Sequence, residues 1–241
     1  MTKIIQDPDL LILNECSNEQ LKSLVDILVF DKDGKKRIAE SLSTTKHFIE
    51  HYPKFLKVLV PDIINEIQRF GGNTIINTFR GHGVAYREIL EDVCDKLKVN
   101  YNKKLSTPLL EGELLRKVAV TVVEKMTDED VKQFDANLDK KRFIDAIMSN
   151  NGPAMLAIIA IVISQITKQT AEKGTIVVLG NILSTKVTTL VVPVLNVLSV
   201  AWTIFDIAGA AYRVTVPFTI TLAFIRRQLS GQNEELKEIL V

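Results

Sequence analysis

KKRFIDAIMSNNGPAMLAIIAIVISQIT, residues 140–167, holds the change of character that decides how the chain is read. Lys140 to Met148 is an amphipathic helical pattern, and Asn150-Asn151-Gly152-Pro153 breaks it with residues that favour turns. From 152 to 167 there is no charge at all. Outward in both directions the contrast holds: 47 of the charged residues lie in 1–150 and only 12 in 151–241. The first figure suits an ordinary soluble surface. The second is too low for helices that must cover themselves with polar side chains.

Downstream, residues 187–205 (VTTLVVPVLNVLSVAWTIF) are uncharged over 19 positions, and a last apolar stretch, Val214 to Ile225, stops at Arg226-Arg227. β-Branched residues are frequent in these segments, so periodicity alone leaves strand open, but length favours helix over 153–167 and 187–209. Upstream, amphipathic spacing predicts helices over 17–29 (Leu21, Leu24, Val25 and Leu28 on one face), 54–70, 84–98, and from Thr107-Pro108, Thr127 and Lys140. Ser17 or Asn18 suits an N-cap, Pro108 suits a first helical position, and Pro61 is expected to kink or divide its segment. The fold class is therefore all-α. A soluble helical domain over 1–150, whose first 35 residues form a short N-terminal unit, precedes an apolar helical bundle or hairpin over 151–229 and a polar tail over 230–241.

Charge and cysteine content narrow the function. Thirty Lys and Arg against 29 Asp and Glu give a net charge of +1, without the basic excess that nucleic-acid binding requires. Two cysteines, Cys16 and Cys94, make no disulfide framework, and a reducing compartment is the expectation. Asp7, Pro8 and Asp9 fall where a signal peptide needs its apolar run, so the predicted location is cytoplasmic, peripheral to the inner membrane.

Several local patterns invite a chemical reading. His47-Phe48-Ile49-Glu50-His51 matches the H-x-x-E-H pattern of inverted zinc peptidases, in which two histidines on one helix face hold zinc and the glutamate activates water. Pro53 follows at once and no third ligand stands in a recognisable motif, so His47, Glu50 and His51 are expected to bind no metal. Cys16, Cys94 and His82 fit no zinc spacing, and Cys94 falls among apolar helical positions. Asp31-Lys32-Asp33-Gly34 has its glycine too early for a calcium loop and reads as a turn. The most distinctive stretch is Arg69-Phe70-Gly71-Gly72 with Arg80-Gly81-His82-Gly83. No strand precedes it and no Gly-Lys-Ser/Thr follows, so these glycines are expected at helix-breaking bends where backbones pack closely, with Arg69 and Arg80 in structural or partner-binding roles. Asp206 and Arg213 are lone charges seven residues apart in an apolar region, expected to pair with each other or to sit at helix ends near solvent.

Three segments carry a family resemblance: Asp7-Pro8-Asp9-Leu10 with Glu15-Cys16-Ser17-Asn18, then Glu66 to Asn73, then Tyr86-Arg87-Glu88-Ile89-Leu90 with Asp92 to Leu97. With Trp202 to Pro217, they resemble the YaaW family of bacterial proteins. That resemblance implies a short N-terminal domain of unknown function and a region similar to the ubiquinol–cytochrome c chaperone domain; it transfers no catalytic residue. The expected function is that of a non-enzymatic helical interaction protein that associates with membranes, or with a protein partner, through residues 151–229. An assembly chaperone and a zinc hydrolase are the alternatives. No cofactor and no small-molecule substrate are expected.

Overall fold

The computed structural model describes residues 6–72, 83–134, 139–149, 153–168, 209 and 211–239. A 3-10 turn, Pro8–Asn14, opens the fold, capped by Asp7, whose side chain accepts from the Asp9 amide. α1 (Asn18–Val29) starts with a complete capping box: Ser17 Oγ accepts from Gln20 N, and the Gln20 side chain accepts from Ser17 N. Its exit is the turn expected at Asp31–Gly34, closed by Asp31 Oδ1 accepting from Asp33 N and Lys35 N, with Gly34 at φ 73°. The isolated bridge between Phe30 and Lys36 is the single β pairing among the described residues.

α2 (Lys46–His51) is short and ends before the cis Tyr52–Pro53 bond. A 3-10 turn over Leu56–Leu59 leads into α3 (Val60–Gly72). Pro61 thus divides its segment, as one of the two expected outcomes: the 3-10 turn ends at Leu59 and Pro61 stands in the first turn of α3, where its missing N–H is among those that have no intrahelical partner. α4 (Tyr86–Lys96), α5 (Thr107–Lys125), α6 (Asp128–Phe134), α7 (Lys140–Ser149) and α8 (Pro153–Lys168) begin within a few residues of the predicted starts. α9 (Tyr212–Ile239) takes in the last apolar stretch and continues as helix through what the sequence suggests is a polar tail.

Helices from the two parts of the sequence pack against one another. α9 lies against α1, α3, α4, α5 and α8, and its residues 214–225 are buried without interruption. Val216, Phe218, Ile220 and Leu222 are fully enclosed, although they point to different sides of the helix. A helix that is apolar all round needs neighbours all round, and the amphipathic faces of α1, α4 and α5 supply them. α8 is buried the same way through Ile158, Ile159 and Ile163, against α1, α5, α7 and α9. The described part of 151–229 therefore completes the core begun by residues 10–147. No described helix is long and apolar enough to cross a membrane. The buried run of α9 is about 18 Å long at 1.5 Å per residue, against about 30 Å of bilayer hydrocarbon.

Pro217 lies inside α9. It removes the N–H that would bond the Arg213 carbonyl, and Arg37 Nη2 donates to that carbonyl at 3.4 Å. Arg37 is itself anchored by Nε donating to Ile27 O at 3.2 Å, so α1 and α9 are joined at the proline.

Candidate functional site

Among the described residues the patterns singled out in the sequence do not converge. His47 Nδ1 lies 2.7 Å from Asp62 Oδ2 on α3, whereas His51 lies 3.8 Å from Glu50 and edge-on to the Phe55 ring. Among the described residues no group of three or more His, Cys, Asp or Glu is placed to hold a metal ion. Both cysteines are buried, and burial pushes the Cys16 thiol up to about 11 and the Cys94 thiol up to about 12. Neither forms a thiolate readily at neutral pH. Arg80, Gly81, His82 and Asp206 lie outside the described residues, as do 187–205, so the Asp206–Arg213 pairing does too. Arg213 itself is exposed near the start of α9.

Arg69, Gly71, Gly72 and Gly83 cluster where α3 meets α4. Arg69 Nη2 donates to Glu66 Oε1 and to the Ala39 carbonyl, and Glu66, buried at 2%, accepts from both Ser41 N and Ser41 Oγ. This ties the loop before α2 to α3. Gly71 and Gly83 answer to close approach and not to left-handed backbone, since Gly34 is the one glycine of positive φ among the described residues. A Cβ on Gly71 would lie 2.5 Å from Ile89 Cγ1, and one on Gly83 would lie 2.7 Å from Gln68 Cβ. Gly72 is the last residue of α3.

The most developed polar arrangement involves residues that the motif reading passed over. Glu111, on the buried face of α5, accepts from Tyr86 OH (2.8 Å) on one oxygen and from Arg226 Nε (2.7 Å) on the other. Arg226 Nη2 donates to the Asp9 carbonyl at 2.5 Å, and Thr107 Oγ1 donates to the Asp9 carboxylate at 2.8 Å. Asp7 Oδ2 accepts from Tyr86 N at 2.6 Å. The network joins the opening 3-10 turn to α4, α5 and α9. Burial raises the Glu111 carboxyl above the ordinary carboxylate range, and the Arg226 guanidinium and the two hydrogen bonds offset part of that rise. Tyr86, wholly buried beside that carboxylate, stays a neutral donor, its phenol held well above its usual range first by burial. The arrangement is a satisfied structural knot: every carboxylate in it has a donor. The one signal for it in sequence is a glutamate among the apolar positions Leu110, Leu114 and Leu115 of α5.

Comparison with known proteins gives the family. A UPF0174 protein from Helicobacter pylori is 34% identical, with 98% of this chain and 97% of the relative aligned. The chain belongs to the UPF0174 family. A second UPF0174 relative, YaaW of Escherichia coli, is 31% identical over 94% of this chain and 97% of its own length. The profile of a domain of unknown function, DUF3944, matches residues 5–38, which include Asp7, Asp9 and the capping box of α1. No solved structure matches the chain. In this UPF0174 chain the matched N-terminal segment is no separate appendage: Leu10, Leu13, Leu21, Leu24 and Leu28 belong to the common core, and Asp9 holds Arg226.

Proposed function

We propose that this UPF0174 protein is a non-enzymatic interaction protein that associates with a membrane on its cytoplasmic face through apolar sequence between α8 and α9. The observation that carries this reading is a surplus of apolar sequence. α8 and the first half of α9 are already used as core, surrounded by α1, α4 and α5. Withdrawing them would expose the apolar faces of those helices and separate the Glu111–Arg226 pair. Membrane contact is therefore assigned to the uncharged residues 187–205, whose composition suits hydrocarbon and whose length of 19 is close to a span. The family resemblance, which carries no catalytic residue, is consistent with a binding role.

The test is flotation of the purified chain with vesicles, together with carbonate and detergent extraction of native membranes. The wild-type protein should float in part. Asp206→Leu should float more, since it removes the charge that bounds the uncharged run, at most the roughly 2.5–3.5 kcal/mol that a charge costs at the centre of a membrane helix. Val194→Lys, inside the uncharged stretch, should float less. Wild-type protein that ignores vesicles across a range of pH rules the reading out.

A further inference from the structure

The turn that leaves α1 presents side chains that the core does not use. Asp31 N donates to the Lys35 carbonyl, Arg37 N donates to the Val29 carbonyl, and Phe30 bridges Lys36, so residues 29–37 form a short hairpin pinned by its own backbone. On this base stand Lys35 and Lys36, both exposed, and then Ile38, wholly exposed at 105%. A single exposed apolar side chain is ordinary on a protein surface. Here it follows directly on three consecutive cations, Lys35, Lys36 and Arg37, on backbone that is held in place. Cations beside an apolar tip match the two layers of a bilayer surface, anionic headgroups outside and acyl chain within. We propose that this hairpin rests on an anionic bilayer surface, with Lys35 and Lys36 against the lipid headgroups and Ile38 entering between them. The inference rests on the membrane reading above and adds to it a second contact and the lipid charge that this contact selects.

Charge and position both favour this occupant. Lys35, Lys36, Arg37 and the exposed Arg213 stand against Asp31 and Asp33, and Asp31 already accepts from the amides of Asp33 and Lys35. Glu40, farther along, is taken up by Ser43 N and Ser43 Oγ. Arg37 Nη2 donates to the Arg213 carbonyl, which fixes the hairpin beside the start of α9. Phe205, the last residue of the uncharged run, precedes Arg213 by eight residues, which extended chain spans in at most about 29 Å. A bilayer engaged by 187–205 is therefore within reach of the hairpin. Cations close to a membrane segment favour the anionic cytoplasmic leaflet, the face already assigned.

The test titrates the full chain, at constant ionic strength, with vesicles of phosphatidylcholine alone and of phosphatidylcholine with phosphatidylglycerol. Wild-type protein should bind the anionic vesicles more tightly than the neutral ones. The double variant Lys35→Gln, Lys36→Gln should weaken binding to anionic vesicles about tenfold or more and leave binding to neutral vesicles unchanged. Ile38→Ser should weaken binding to anionic vesicles about fivefold or more. It changes no charge, so its effect separates insertion of the side chain from diffuse attraction. All three side chains are exposed, so both variants should melt near the wild-type temperature. Val194→Lys distinguishes this inference from the one it rests on. Binding lost in Val194→Lys but undiminished in the double variant or in Ile38→Ser overturns the hairpin contact and leaves the membrane reading in place. Binding that responds to the hairpin variants and not to Val194→Lys upholds the hairpin and overturns the assignment to 187–205. Wild-type protein that binds neither vesicle overturns both.

Discussion

Close approach makes two glycines irreplaceable in different degrees. At Gly83 the obstruction is Gln68 Cβ, attached directly to the backbone of α3; at Gly71 it is the outer part of the Ile89 side chain. Gly83→Ala should therefore destabilise the protein by about 1–3 kcal/mol, the usual range for overpacking, and Gly71→Ala by less because Ile89 can turn. Urea denaturation of both variants checks the order; equal, negligible changes would show that the α3–α4 approach yields freely. Buried carboxyls set a second expectation. Asp26, 1% exposed and accepting from Lys22 Nζ and Tyr52 OH, has its pKa raised, first by burial, and Glu111 shifts the same way. For each, the folded state holds the proton more tightly than the unfolded chain. The stability these groups contribute is complete below the ordinary carboxylate pKa of about 4 and is lost as pH rises through the raised values. Asp26→Asn should flatten the fall of stability with pH above about 4, whatever it does to stability at a single pH. An unchanged slope would mean that Asp26 titrates alike in both states.

Among elements, α9 shows how a local defect is answered from elsewhere. Pro217 frees the Arg213 carbonyl, and Arg37 donates to it from beyond α1. Arg37→Ala should cost about 0.5–1.5 kcal/mol, the usual worth of one such bond. Restoring the helical N–H with Pro217→Ala should reduce that cost, so a double-mutant cycle should give a coupling of at least 0.5 kcal/mol as an order of magnitude. Additive effects would assign Arg37 to the Ile27 carbonyl alone. The capping box of α1 and the proline near the start of α5 are legible directly, because caps act within a few residues of the helix end. At Pro61 sequence leaves a kink and a division equally open, and the 3-10 turn before α3 decides for division.

For the molecule as a whole, the consequence is interdependence of the two halves of the sequence. The apolar faces of α1, α4 and α5 are buried against α9, and α5 and α7 against α8. A chain ending at Asn150 should therefore lack a cooperative urea transition and should bind a dye for exposed apolar surface, as compact but loosely packed states do. A sharp transition in that fragment, with a denaturant slope in proportion to its length, would instead establish residues 1–150 as an independent domain.

Periodicity, caps and charge density are local quantities, and from them the helices, their approximate ends and the apolar character of 153–225 follow without coordinates. The Asp31–Gly34 turn and the burial of Cys94 are equally local. Which faces meet is not local. Hydrophobic attraction is non-directional, so an apolar helix states that it must be covered and not by what; only the assembled structure puts α9 at the centre of the N-terminal helices. The same holds for charge. Arg226 reaches Glu111 across 115 residues and Asp9 across 217, separations over which no spacing rule operates, because the register between them is set by the packing of every helix in between.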